Sequence, residues 1–183
     1  MTHALLYSHP TTPCRTVRRL GVNCDYTPRG RLSLSYHLAG SLGDILIPPR
    51  KTDAARRDEL WQHTCFELFL QGSDECAYWE FNFSPSGDWA IYRFDRYRTG
   101  MSLPESEFKP LIRLTQKADT LWLNVMVNLS LTDLAIDAET PVRLGISAVI
   151  ESAEGEISYW ALHHPSEKPD FHHTGSFALP LVI

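Results

Sequence analysis

Apolar and polar residues alternate with a period of two through most of this chain. The pattern is clearest over His63–Leu70, Ala77–Ser84, Trp89–Arg96, Leu121–Asn128 and Val142–Ile150. A strand points successive side chains to opposite faces, so this period predicts half-buried β-strands. Turn-forming clusters bound the runs, among them Gln71-Gly72-Ser73-Asp74, Pro85-Ser86-Gly87-Asp88 and Lys117-Ala118-Asp119, as hairpins require. Weaker strands are predicted at Ala4–His9, Val17–Tyr26, Arg31–Leu38, Leu111–Gln116, Glu156–Ala161 and Phe177–Leu181. Short helices are predicted only at Asp53–Leu60 and Leu131–Ala135. Close-spaced strands without βαβ alternation or a fixed repeat imply an all-β fold, an antiparallel β-sandwich of jelly-roll type. No linker interrupts the chain, so residues 1–183 are expected to form a single domain.

Sorting each run by parity separates two faces. The expected core face carries Phe66, Leu68 and Leu70, then Trp79, Phe81 and Phe83, then Ala90, Tyr92 and Phe94, with Leu121–Val127 and Leu144–Ile150 contributing alternate residues. The opposite face carries Cys65, Glu67 and Phe69, Tyr78, Glu80 and Asn82, Trp89, Ile91 and Arg93, and Trp122, Asn124, Met126 and Asn128. This second face has no Lys in these strands and is rich in groups that form directed hydrogen bonds. Aromatic platforms beside carboxylates, amides and Arg suit a polyhydroxylated ligand, whose ring has apolar C–H faces and a hydroxyl rim. A solvated face with incidental cross-strand pairs is the alternative.

Composition narrows the classes. The chain has 183 residues, 43% hydrophobic and 21% charged, enough for one cored domain. Its net charge of −5 and lack of a basic run argue against a nucleic-acid partner. The apolar runs fall far short of the roughly 20 residues that span a bilayer, and Met1–Pro10 has no basic-then-apolar leader. A cytoplasmic location is therefore expected, with Cys14, Cys24, Cys65 and Cys76 as free thiols. Of the 20 aromatics, 11 fall within the 37 residues from Trp61 to Tyr97, which makes this stretch the place to look for a site.

Three runs there, WQHTCFELFL at Trp61–Leu70, YWEFNFSPSGDWA at Tyr78–Ala90 and YRFDRYRTGM at Tyr92–Met101, resemble the DOMON-like family, which is similar to family 9 carbohydrate-binding modules. YWALHHP at Tyr159–Pro165 and KPDFHH at Lys168–His173 extend the resemblance. It implies a β-sandwich that binds sugars or, in some relatives, haem. Position by position it implies that Trp61 and Trp160 clamp a sugar ring, that Glu67 accepts hydroxyl hydrogen bonds, and that Arg93 donates them, with Arg96 and Arg98 as alternatives. Glu80 and Asn82 are further ligand-binding candidates, or else anchors of the turn at Ser84–Gly87.

The expectation is thus a non-catalytic module for a carbohydrate or sugar-containing small molecule, with no cofactor. Two alternatives stand beside it. A haem site would draw on Met101 or Met126 with His163 or His164, and a glycoside hydrolase would use Glu67 and Glu80 as its carboxylate pair. Metal ligation by the segment holding His163 and His172 is disfavoured, because adjacent histidines on an extended chain point apart. The oligomeric state is not legible in the sequence.

Overall fold

The computed structural model of the chain describes residues 1–27, 29–72, 76–103, 109–129 and 142–181. Among these, eleven strands form one antiparallel sheet: β1 (Thr2–Ser8), β2 (Val17–Thr27), β3 (Arg31–Gly40), β4 (Cys65–Gln71), β5 (Tyr78–Phe83), β6 (Trp89–Phe94), β7 (Leu111–Gln116), β8 (Thr120–Asn128), β9 (Val142–Glu151), β10 (Ile157–Ala161) and β11 (Leu179–Leu181). Their order is β6-β5-β4-β9-β10-β1-β2-β3-β8-β7, with β11 also pairing β9. The all-β, antiparallel fold expected from the alternation is what the chain adopts. No helix among the described residues is long and apolar enough to cross a membrane.

The sheet curls over, so that its halves face each other across one core. Leu20, Leu34, Leu38 and Leu123 from the β2-β3-β8 half pack with Phe66, Leu68, Phe81 and Ile146 from the β4-β5-β9 half. Tyr36, fully buried, spans the layers: its ring centroid lies 5.0 Å from that of Phe66, and its hydroxyl donates to the Glu67 carbonyl at 2.8 Å.

The halves differ on their outer faces. In β3 and β8 burial alternates residue by residue, as it must when one face meets solvent, whereas every residue of β4 and β5 is buried. A second apolar cluster accounts for this, with Phe69, Tyr78, Tyr92, Phe94 and Val149 on the outer face of the second half, and Phe171 and Phe177, from the segment after β10, packed onto it.

Three expectations are corrected. Of the helix expected over Asp53–Leu60, only Leu60 is helical, as the start of a 3-10 turn; residues 53–59 run irregularly beside the start of β6, where the buried Asp88 carboxylate accepts from Lys51 Nζ at 2.6 Å and from the Ala55 amide at 3.1 Å, with Arg57 Nε at 3.3 Å. The other predicted helix, Leu131–Ala135, lies outside the described residues. In β6 the faces are reversed. The turn over residues 84–88 makes Phe83 the partner of Trp89, and paired residues share a face, so Trp89 and Ile91 turn to the core while Ala90, Tyr92 and Phe94 join the opposite face. Trp160 likewise lies in the core, opposite Ala148, with its indole N–H donating to Ser158 Oγ at 3.0 Å.

Candidate functional site

The β4-β5 hairpin sets the floor of a cavity of about 780 Å³. Its register pairs Glu67 with Asn82 and Phe69 with Glu80, which puts Glu67 and Glu80 on one face as diagonal neighbours, within side-chain reach. Across the neighbouring ladders, Tyr92 stands opposite Glu80 and Ser147 opposite Glu67. The 3-10 turn at Leu60–Gln62 brings Trp61 to the mouth, where it is 49% exposed. Residues following β6 supply Arg98 and Met101, and those following β10 supply Lys168, Phe171 and His172.

Two side-chain networks hold these walls together. Glu80 Oε1 accepts from Asn82 Nδ2 at 2.7 Å, and Glu67 Oε2 accepts from Ser147 Oγ at 3.3 Å. The Tyr78 hydroxyl accepts the Arg98 amide at 3.1 Å and lies 2.8 Å from His172 Nδ1. The other ring nitrogen of His172, Nε2, lies 3.7 Å from Glu80 Oε2. At the rim, Asp170 clasps the two loops: its carboxylate accepts from Tyr97 Oη at 2.7 Å, from Arg98 Nη2 at 2.8 Å and from the His172 amide at 3.2 Å.

Burial dominates the electrostatics of the floor. It pushes the Glu67 carboxyl well above the usual carboxylate range, with the neighbouring Glu80 adding to the effect. Burial also raises Glu80 to about 7, against the opposing influence of Asn82 and Arg98. The same burial, helped by Arg98, lowers His172 to about 4, so it is neutral near pH 7. One cavity therefore holds two carboxyl groups that resist ionising together, beside an imidazole that resists protonation. Such an arrangement can accept hydrogen bonds, donate one through a retained proton, and exchange protons with a bound molecule.

Of the residues singled out in the sequence, Trp61, Glu67, Glu80, Arg98, Met101 and His172 line this cavity, and Asn82 supports Glu80 from beside it. The turn at residues 84–88 is held by its own hydroxyls, with Ser86 Oγ donating to Ser84 Oγ at 2.9 Å. Arg93 and Trp160 are elsewhere. Arg93 sits opposite Trp79 on the other side of the sheet and pairs with Asp95, a consequence of the β6 parity, and Arg98 is the guanidinium at the cavity. Trp160, inside the core, does not converge with Trp61. His163 Nδ1 contacts the Gly175 carbonyl at 3.2 Å rather than the cavity. Among the described residues, no group of three or more His, Cys, Asp or Glu is placed to hold a metal ion.

Tyr92, Phe94, Tyr159 and Phe171 are cavity residues that the sequence reading did not assign to a site. For Tyr92 and Phe94 the signal was present in the five-residue turn. Two other depressions, about 370 Å³ on the outer face of β2-β3-β8 and about 850 Å³ beside residues 11–16, line no buried carboxyl group.

The fold has solved counterparts. A candidate carbohydrate-binding protein from Bacteroides uniformis superposes with a TM-score of 0.71 at 13% identity, over 96% of this chain and 83% of that one. A family 9 carbohydrate-binding module from Caldicellulosiruptor kristjanssonii, solved in complex with glucose, superposes with a TM-score of 0.51 at 10% identity, over 91% of this chain and 76% of that one. The likeness is one of fold. No family model matches the sequence, and no curated protein matches it. The family 9 likeness implied by the central motifs is thus met at the level of architecture.

The Met and His residues named for a haem are not brought together. Met101 reaches the cavity but Met126 lines the depression on the other half of the sheet. His163 and His164 contact the backbone carbonyls of Gly175 and Tyr7.

Proposed function

We propose that this chain binds a carbohydrate, or a small molecule containing one, in the cavity above Glu67 and Glu80. The observation that carries the reading is the composition of that cavity: aromatic rings on the walls and a buried carboxyl pair with an amide on the floor. Rings such as Trp61, Tyr92 and Tyr159 offer faces for sugar C–H groups. The carboxyl groups exchange hydrogen bonds with ring hydroxyls, each contributing about 0.5–1.5 kcal/mol. The fold shared with a glucose-bound family 9 module lends further support. Arg98, in place of Arg93, is the donor of this reading, already oriented by Asp170.

Calorimetric titration with a panel of mono- and disaccharides tests it. Binding is expected, and Trp61→Ala and Glu67→Gln should each weaken it at least about tenfold while leaving the near-UV spectrum unchanged. If both variants bind like the parent protein, the cavity is not the site.

The same carboxyl pair supports a second reading, glycoside hydrolysis, because a carboxyl raised to about 7 can act as a general acid. Turnover of aryl-glycosides that disappears in both Glu67→Gln and Glu80→Gln would favour it over simple binding.

A further inference from the structure

The carboxyl pair on the cavity floor lacks a cation partner. Of the four carboxyl groups that line the cavity, Asp58, Glu59, Glu67 and Glu80, Asp58 is paired with Arg56 at 2.7 Å. Arg98 is committed to Asp170 at 2.8 Å, and Lys168 is exposed at the mouth. Among the described residues, no Lys or Arg side chain forms an ion pair with Glu67 or Glu80. Glu67 is 2% exposed, yet its Oε1 has no hydrogen-bond partner among those residues. Glu80 Oε2 lies 3.7 Å from the His172 ring nitrogen, beyond hydrogen-bond length. Both carboxyl groups open into a space that a ligand can enter.

The walls also favour a cation. Trp61, Phe69, Tyr92, Phe94, Tyr159 and Phe171 surround the floor, and the faces of aromatic rings attract cations, more strongly where water is excluded. A neutral sugar would answer hydroxyl-seeking oxygens but leave the carboxyl pair without a cation.

Resting on the carbohydrate reading, we propose that the preferred ligand carries a protonated primary amine, as an amino sugar with a free amino group does, and that its ammonium sits between Glu67 and Glu80 beneath the aromatic rings. The ammonium has three donors, matched to Glu67 Oε1, Glu80 Oε2 and one further acceptor. Its arrival releases to solvent the proton that the carboxyl pair holds. N-acetylation removes both the charge and two of the donors, and a hydroxyl in the same position offers one.

Titration calorimetry of the full chain with glucosamine, N-acetylglucosamine and glucose, at about pH 6.5 where the amine is charged, decides it. Glucosamine should bind at least about tenfold more tightly than the other two, with proton release visible as a heat that depends on the buffer's ionisation enthalpy. Glu67→Gln should collapse the preference, and the comparison of the three sugars on the parent protein stands even if that variant fails to fold. Equal affinity for glucose and glucosamine overturns the amine inference and leaves the carbohydrate reading intact. Binding of cyclohexylamine with no binding of any sugar overturns the carbohydrate reading, and the amino-sugar assignment with it.

Discussion

Glu67, Glu80 and His172 are displaced from their ordinary titration in opposite senses, and the signs can be followed through to stability. Glu80 is raised from 4.5 to about 7 on folding, so the folded chain holds this proton more tightly than the unfolded one. Its contribution is fully present below about pH 4.5 and is lost as the pH rises through about 7. Glu67 acts in the same direction. His172 falls from 6.5 to about 4, so its contribution is present above 6.5 and is lost as the pH falls toward 4. The terms oppose each other in acid, whereas above neutrality only the carboxyl groups act. Glu80→Gln, which keeps the shape and removes the titration, should therefore gain stability relative to the parent between about pH 5 and about pH 8. Urea denaturation at a series of pH values checks this. A difference between the two proteins that is flat with pH would mean that Glu80 titrates as an ordinary exposed carboxyl.

At the scale of elements, strand positions were legible because a period of two is a local property of the chain. All eleven strands lie where alternation and turn chemistry put them, to within a few residues. Facing was less legible where both sides of the sheet are apolar. Trp89 and Ile91 are no more or less hydrophobic as a set than Tyr92 and Phe94, so hydrophobicity could not orient β6; counting the five residues between Phe83 and Trp89 does. Trp160 and Tyr159 pose the same problem in β10, where the Trp turns inward and the Tyr reaches the cavity. His172 was invisible as a cavity residue because its place depends on a long irregular segment folding back over the sheet. Gly145 is one reason that segment can close. A Cβ there would lie 2.5 Å from Phe177 Cδ1 and 3.2 Å from Phe69 Cβ, so a bare backbone lets the Phe177 ring settle against the strand. Gly145→Ala should cost about 1–3 kcal/mol through overpacking. Because Phe177→Ala removes the obstructing ring, the double variant should be more stable than the sum of the single losses predicts. Simple additivity in chemical denaturation would place the strain elsewhere.

Across the whole molecule, the difference between the halves of the sheet decides where a ligand can be held. The β2-β3-β8 half meets solvent on its outer face, while the other half lies between the main core and a second apolar layer, and the cavity opens within that second layer. β4 consequently has the core on one side and the cavity on the other, so Glu67 presents its carboxyl group to the cavity while its backbone carbonyl accepts from the Tyr36 hydroxyl at 2.8 Å. This hydrogen bond ties the opposite layer to the floor of the site. Tyr36→Phe deletes the hydroxyl but keeps the ring against Phe66, and should lower stability by about 1 kcal/mol. If the floor is held chiefly by its two flanking strands, sugar affinity measured on the folded variant should stay within about twofold of the parent. A larger loss of affinity, without a change in the near-UV spectrum, would show instead that the far layer sets the position of Glu67, and that the curl of the sheet is part of the site's geometry.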